Sequence, residues 1–169
     1  MSQFFPLIFV LLWSSAFITT LPIVLNSDPF SALAFRFFFV AVCFFIYSIV
    51  KKIKIKVNFR NLFNSFSTGI LFHGFYLGGV FYAIFVGLPT SIVALIVTLQ
   101  PILTNILAGY FLNEEVNIYQ WIGVILGFTG AVMVIGFDIG STLPVKGLTA
   151  GVIALIAITT STIWQKKIS

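Results

Sequence analysis

Apolar residues follow one another along this chain in six long blocks that are separated by short polar breaks. The blocks extend over residues 4–25, 30–50, 62–86, 89–112, 119–137 and 148–165. A helix rises 1.5 Å per residue, so about 20 apolar residues cross the ~30 Å hydrocarbon layer of a bilayer. The pattern therefore predicts an all-α integral membrane protein with about six transmembrane helices, which we number as spans one to six.

The start of the chain has a second interpretation. Residues 14–16, Ser-Ser-Ala, resemble a signal-peptide cleavage site, but no basic residue precedes them and the apolar block continues beyond them. We therefore expect a membrane helix, with Pro22 kinking or ending it near its far side. The break that follows predicts a turn in which Asp28 caps span two and Pro29 occupies the first helical position.

Span four carries small and polar residues at spacings of four, three, four and three. They are Ala94, Thr98, Pro101, Asn105 and Ala108. This spacing places all of them on one helix face, which must avoid lipid because an amide side chain is costly against hydrocarbon. Helix packing would explain the face. We favour a cavity wall, because a proline inside the span also leaves a backbone carbonyl without its donor, as in the broken helices of transporters.

Spans five and six carry small residues on one side. Gly123, Gly127 and Gly130 indicate that span five is a packing helix without chemistry of its own. In the break before it, Glu114 is predicted to have a structural role, either capping span five or pairing with basic loop residues. The face of span six is formed by Ala150, Ala154, Ala157 and Ser161.

Composition and charge support a membrane protein and indicate its orientation. The chain is 60% hydrophobic and 8% charged, whereas soluble domains have about 25% charged residues. Five of the nine Lys and Arg residues lie between Lys51 and Arg60, so the net charge of +5 reflects topology and predicts no nucleic-acid partner. With alternating spans this loop, the N-terminus and Lys166/Lys167 share one side, and only Lys146 lies in an opposite loop. The positive-inside rule then predicts a cytoplasmic N-terminus in the cell (inner) membrane.

A few polar or aromatic residues inside the spans are candidates for chemistry. Arg36 lies about two turns inside span two, where it can snorkel to the interface or anchor a carboxylate or phosphate. Trp13 is either lipid-facing bulk or part of a pocket. His73 is the only histidine, which excludes a multi-histidine metal site within the chain; we expect it to be buried and hydrogen-bonded. We predict no metal and no cofactor.

An ordered set of motifs resembles the EamA domain of the drug/metabolite transporter superfamily. The motifs are Pro29 with Arg36-Phe37, Phe81-Tyr82-Ala83, Gln100-Pro101-Ile102-Leu103, Leu112-Asn113-Glu114, Gln120-Trp121-Ile122-Gly123, and Gly127 with Gly130. The resemblance covers residues 4–137 as one five-helix repeat. It implies that residues 138–147 are an extracytoplasmic loop and that residues 148–169 resemble the first helix of a second, inverted repeat.

The resemblance implies a secondary transporter, an exporter or permease for a small polar metabolite, which works by alternating access with its site between two repeats. The expected substrate pathway consists of Trp13, Arg36, Tyr82, Thr98, Pro101 and Asn105. Family members have ten helices and six are present here, so the alternative is a truncated, non-transporting fragment or subunit. Its partner would be a second copy or a separate second repeat, because the small face of span six is expected to lack a partner within the chain.

An intramembrane enzyme is the third class of function to consider. Proteases of that class need a Gly-x-Ser-x motif paired with histidine, or a His-Glu-x-x-His motif, and the sequence contains neither. We therefore expect no enzymatic activity. The lipid bilayer and a small-molecule substrate are the expected partners, and the residues do not identify the substrate.

Overall fold

The fold was determined as a computed structural model that describes residues 4–53, 58–112, 117–135 and 143–168. Within these ranges the chain is helical apart from its turns, and no strand occurs. The helices are α1 (Phe5–Asn26), α2 (Pro29–Val50), α3 (Phe59–Gly69), a π-helix (Ile70–Leu77), α4 (Gly78–Phe85), α5 (Thr90–Thr98), α6 (Gln100–Leu112), α7 (Ile118–Ile135) and α8 (Val145–Ile168).

These helices reproduce the six predicted spans to within a few residues at their ends. Spans one and two are α1 and α2, span three is the continuous helix Phe59–Phe85, and span four is Thr90–Phe111. Spans five and six are α7 and α8. Five of the helices are long and apolar enough to cross a membrane, and Ile118–Gly130 of α7 is a shorter apolar helix. The prediction of an all-α membrane protein is confirmed.

The turn between spans one and two has the predicted cap. The backbone N–H of Ser31 donates to Asp28 Oδ2 at 2.8 Å, and Pro29 is the first helical residue. Helix α1 continues one turn past Pro22, and the side-chain amide of Asn26 donates to the Pro22 carbonyl at 2.7 Å. These hydrogen bonds lie at the ends of the two helices, beside the turn. The two helix ends therefore leave few unpaired polar groups facing the bilayer.

Span four is interrupted at Leu99, between α5 and α6. Pro101 has no N–H group, so the carbonyl of Val97 loses its donor four residues later. At the interruption the N–H of Leu99 donates to the carbonyl of Ile96, three residues earlier, at 3.1 Å, which tightens the turn. The predicted break at Pro101 is therefore present.

Asn117 caps span five. Its side-chain oxygen accepts from the N–H of Tyr119 at 3.0 Å, and its own N–H donates to Gln120 Oε1 at 2.9 Å. This reciprocal arrangement is a capping box. Glu114 lies outside the described residues, so its structural role stays a prediction.

Span three is the centre of the helix packing. Spans one and two contact it mainly over Gly78–Phe85, and span six contacts it along its whole length. Span six also packs against span four, whereas span five contacts chiefly α5. The buried apolar core accordingly extends from Tyr76 and Val80 of span three to Ala154 and Ile158 of span six.

The small-residue face of span six is covered by span three. A Cβ atom built on Gly79 would lie 2.9 Å from the Ala150 carbonyl oxygen and 3.0 Å from Ala154 Cβ, so the two backbones are in close contact. Ser161 Oγ donates to the Thr68 carbonyl oxygen at 3.2 Å. The expectation that this face lacks a partner within the chain is wrong, because glycine lets span three approach it.

Span six is also bonded to span four. Gln100 Nε2 donates to Thr162 Oγ1 at 3.2 Å, and the Thr162 hydroxyl donates in turn to the carbonyl of Ile158 at 2.8 Å. Hydrogen bonds between membrane helices contribute about 0.6 kcal/mol on average. They therefore fix the orientation of these helices more than they stabilise the fold.

The middle of span three is wound as a π-helix from Ile70 to Leu77. In this form each N–H bonds to the carbonyl five residues earlier, which widens the turn, and such segments are frequent at functional sites. His73 and Tyr76 lie within it. Nothing in the apolar pattern of span three distinguishes this segment from an α-helix.

We predict that Gly79→Val destabilises the protein by about 1–3 kcal/mol, because the added atoms overlap span six and force the backbones apart. Gly69→Val is the matched control, since a Cβ at Gly69 would meet no atom of the described residues within 4 Å apart from its chain neighbours and the backbone of its own helix. Thermal unfolding of the purified protein in lipid nanodiscs measures the difference. Equal losses for the two variants would contradict the close contact.

We also predict that the Asp28 cap makes stability depend on pH. The hydrogen bonds from Ser31 hold the pKa of Asp28 below its ordinary value. A carboxyl with a lowered folded pKa stabilises the fold above its unfolded pKa, about 3.9, and loses this contribution as the pH falls through the folded value.

Asp28→Asn tests this effect, because asparagine also caps helices but does not titrate. The ordinary pKa of Asp lies between about pH 6 and about pH 3. Over this interval the unfolding temperature of the original protein should fall more than that of Asp28→Asn. Asp28→Ala should be less stable than both at neutral pH. Parallel pH profiles for the original protein and Asp28→Asn would exclude the proposed contribution.

Candidate functional site

The predicted pathway residues line three different cavities between the spans. Trp13 and Arg36 share the first cavity, Tyr82 lines the second, and Thr98, Pro101 and Asn105 line the third. The sequence led us to expect one pathway for all six. The structure brings them together only as these subsets.

The first cavity, here called the Arg36 cavity, has a volume of about 360 Å³ and lies between spans one, two and three. Most of its lining is apolar and includes Phe9, Phe17, Phe37 and Phe81. The side chains that bring polar groups to it are Trp13, Thr20, Arg36, His73 and Tyr76. It thus combines one permanent cation with several aromatic rings.

The Arg36 cavity exists because spans one and two diverge in front of the π-helix. Both contact span three mainly over Gly78–Phe85, beyond the π-helical segment, and contact each other little. Thr20 is buried at 4% exposure, and its hydroxyl donates to the Ala16 carbonyl at 2.6 Å. The cavity is lined by residues of the π-helix and of the first turn of α4.

Arg36 has no neutralising carboxylate among the described residues. Asp28 is the only acidic residue in those ranges, and it precedes Arg36 by eight positions on one helix, about 12 Å along the axis. An arginine within the hydrocarbon layer costs several kcal/mol unless it finds a polar partner or reaches the interface. Its planar group donates to carboxylate or phosphate oxygens in pairs, so an organic anion matches it chemically.

His73 contacts the cavity through its ring. The ring centroid lies 4.8 Å from that of Phe37 and 5.1 Å from that of Phe72, both edge-on. Phe72 in turn contacts Tyr76 at 5.3 Å. We expected a buried, hydrogen-bonded histidine. Instead His73 is exposed, and its ring makes no hydrogen bond within the part of the chain that the structure describes.

The second cavity, the Tyr82 cavity, has a volume of about 510 Å³ and lies between spans two, three and six. The ring of Tyr82 stacks on that of Phe30 at a centroid distance of 6.3 Å. Lys146 and Thr149, at the start of span six, complete its polar lining. Tyr82 is thus near a lysine, not near Arg36.

The third cavity, the Asn105 cavity, has a volume of about 460 Å³ and separates span four from span five. Thr98, Pro101 and Asn105 face Gln120, Gly123 and Gly127 across it. The Thr98 hydroxyl already donates to the Ala94 carbonyl at 2.8 Å. No atom of the described residues lies within 4 Å of a Cβ at Gly123, Gly127 or Gly130, so their close-packing role stays a prediction.

Sequence reasoning missed the residues around the π-helix. Thr20, Phe72 and Tyr76 line the Arg36 cavity but were not among the predicted pathway residues. Thr20 and Tyr76 are polar residues within apolar spans, which is a usable signal in a membrane protein. Phe72 is one of 21 phenylalanines, and nothing in the sequence distinguishes it from the others.

The described residues contain no cluster of three or more His, Cys, Asp or Glu side chains that could hold a metal ion. Arg36, His73 and the hydroxyl groups beside them are all suited to binding an anion. These side chains therefore favour the non-covalent binding of an anion inside a membrane.

Comparison with known proteins gives one match. The model of the EamA-like transporter family matches residues 2–136, which comprise spans one to five. No curated protein and no solved structure matches the chain.

Proposed function

Because this chain belongs to the EamA-like transporter family, we propose that it is a secondary transporter that binds a small organic anion or zwitterion in the Arg36 cavity. Members of this family are transporters and not enzymes. Membership of the family indicates a membrane transporter of the drug/metabolite type. The substrate class, the site and the mechanism are the proposal.

The observation that carries the proposal is Arg36 itself, a cation that lines a cavity inside the membrane without a carboxylate partner in the described residues. Snorkelling toward the nearer interface would explain an arginine at this depth. It would not explain why His73 and Tyr76 line the same cavity. A carboxylate or phosphate bound there would receive hydrogen bonds from Arg36 and compensate its charge.

The shape of the Arg36 cavity restricts the ligand. About 360 Å³ is near the lower end of the range for small-molecule sites. Trp13 and the surrounding phenylalanines form an apolar lining. The geometry favours a small metabolite that carries one anionic group on a compact apolar or aromatic body.

The π-helix of span three and the interruption of span four supply elements for alternating access. The π-helix adjoins the Arg36 cavity, and the interruption before Pro101 adjoins the Asn105 cavity. Discontinuous helices at the middle of the bilayer are a recurring feature of secondary transporters. In this proposal Thr98, Pro101 and Asn105 belong to a second part of the pathway that adjoins a moving span.

We predict that Arg36→Ala abolishes ligand binding, whereas Arg36→Lys retains part of it, because a point charge replaces the planar group imperfectly. The experiment screens small carboxylates, amino acids and phosphate esters by thermal unfolding of the protein in nanodiscs. A ligand at 100 times its Kd raises stability by about 2.7 kcal/mol. Uptake of the best ligand into proteoliposomes then measures transport.

Arg60→Ala is the matched control, since Arg60 is an exposed arginine at the start of α3 and lines none of the cavities described above. It should bind and transport like the original protein. Equal ligand binding by Arg36→Ala and the original protein would show that Arg36 does not bind the ligand and only snorkels to the interface. Binding without transport, with transport restored by a co-expressed partner chain, would favour the subunit alternative.

We further propose that the N-terminus and the basic loop lie in the cytoplasm, as the distribution of Lys and Arg suggests. In a Cys43→Ala background, Lys51→Cys should be protected from an impermeant thiol reagent added to intact cells, and Ser27→Cys should react. Both positions are exposed and lie beside the ends of spans. Labelling of Lys51→Cys alone would reverse the orientation.

A further inference from the structure

A polar cavity of about 420 Å³ lies between spans three and six. We call it the Ser161 cavity. Its lining includes the polar side chains of Ser65, Thr68, Ser161 and Gln165. The hydroxyl groups of Thr68 and Ser161 donate to backbone carbonyls of Asn64 and Thr68. The hydroxyl of Ser65 and the amide of Gln165 make no such bond in the part of the chain that the structure describes, so in lipid they need water or polar partners.

The Ser161 cavity lies in the half of the bundle next to the basic loop. Ser65 is six residues from the start of α3 at Phe59, and Gln165 is three residues from the end of α8 at Ile168. At 1.5 Å per residue these positions are about 9 Å and 5 Å from the helix ends, and His73 is about 21 Å from Phe59. The cavity thus extends from one membrane face toward the middle of span three.

Phe72 and His73 are the two residues that line both the Ser161 cavity and the Arg36 cavity. Both belong to the π-helix, and their rings are 5.1 Å apart. Phe37 and Tyr76 contact this pair from the side of the Arg36 cavity. Two side chains of one widened turn therefore separate a polar cavity from a cavity that contains an arginine.

We propose that the Ser161 cavity is the aqueous access route to the Arg36 cavity from the basic-loop side, and that Phe72 and His73 form the gate between them. The inference rests on the proposed use of the Arg36 cavity as the substrate site. The ligand is a small organic anion, since Lys166 and Lys167 lie at the outer end of α8, one of the two helices that form the route.

The arrangement of the rings assigns the moving part to Phe72. Tyr76 is buried at 2% exposure, so its ring has little space to turn. Phe72 is only half-buried and His73 is exposed. Rotation of the Phe72 ring away from His73 would join the two cavities without displacing the core contact between Gly79 and span six.

The test measures how fast a small anionic methanethiosulfonate reagent reaches a cysteine in each cavity. In a Cys43→Ala background, Ala16→Cys reports the Arg36 cavity and Ser65→Cys reports the Ser161 cavity. The protein is reconstituted in nanodiscs, and the modification rate is followed by mass spectrometry. Thermal unfolding of each variant confirms that it is folded.

We expect Ser65→Cys to react quickly whatever residue occupies position 72. Ala16→Cys should react slowly, and several-fold faster when Phe72→Ala is added, because the ring no longer blocks the route. Phe66→Ala is the matched control: it removes a phenylalanine from the same span that lines none of the cavities described here, and it should leave the rate unchanged. Phe72→Leu, a smaller change, replaces Phe72→Ala if that variant does not fold.

Gln165→Trp identifies the route. Added to the Phe72→Ala variant, it fills the outer part of the Ser161 cavity and should return the rate of Ala16→Cys toward its original value. A rate that is insensitive to Phe72, or one that rises with Phe72→Ala but ignores Gln165→Trp, would overturn the proposal. These rates require no transport and no ligand, so the failure of the proposed function at Arg36 would be visible separately in the binding screen.

Discussion

The contact of Gly79 with Ala150 and Ala154 determines where the other spans can lie. Apolar helices gain little from the hydrophobic effect inside a bilayer, so close packing of small residues is a main source of helix association. At this contact a side chain on span three would overlap the backbone of span six. With spans three and six joined, span four packs on span six, and spans one and two pack on the last part of span three.

Local features of this fold were readable from the sequence because their causes are local. Block length predicted the spans, Asp28-Pro29 predicted a helix start, and Pro101 predicted a break, each through the hydrogen bonds of a few neighbouring residues. The central position of span six depends instead on which small-residue faces meet. The small residues of span six indicate a packing face but do not identify the helix that covers it; they are Ala150, Ala154 and Ser161. We therefore wrongly expected that helix to lie outside the chain.

The candidate site was predictable in its residue types and not in its arrangement. Arg36 and Trp13 stood out because arginine is rare inside a span and tryptophan is rare away from the interface. Their distribution over separate cavities follows from the divergence of spans one and two and from the loose contact of span five. Those are properties of tertiary packing. The π-helix escaped detection because Ile70–Leu77 is as apolar as any α-helical segment.

The winding of span three has a mechanical consequence. Its first part, Phe59–Gly69, contacts span six, whereas its last part, Gly78–Phe85, contacts spans one and two as well. Any change in the hydrogen-bond register of the π-helix between them would rotate one part about the helix axis relative to the other. Spans one and two, which pack on the last part, would then swing around the axis of span three relative to its first part.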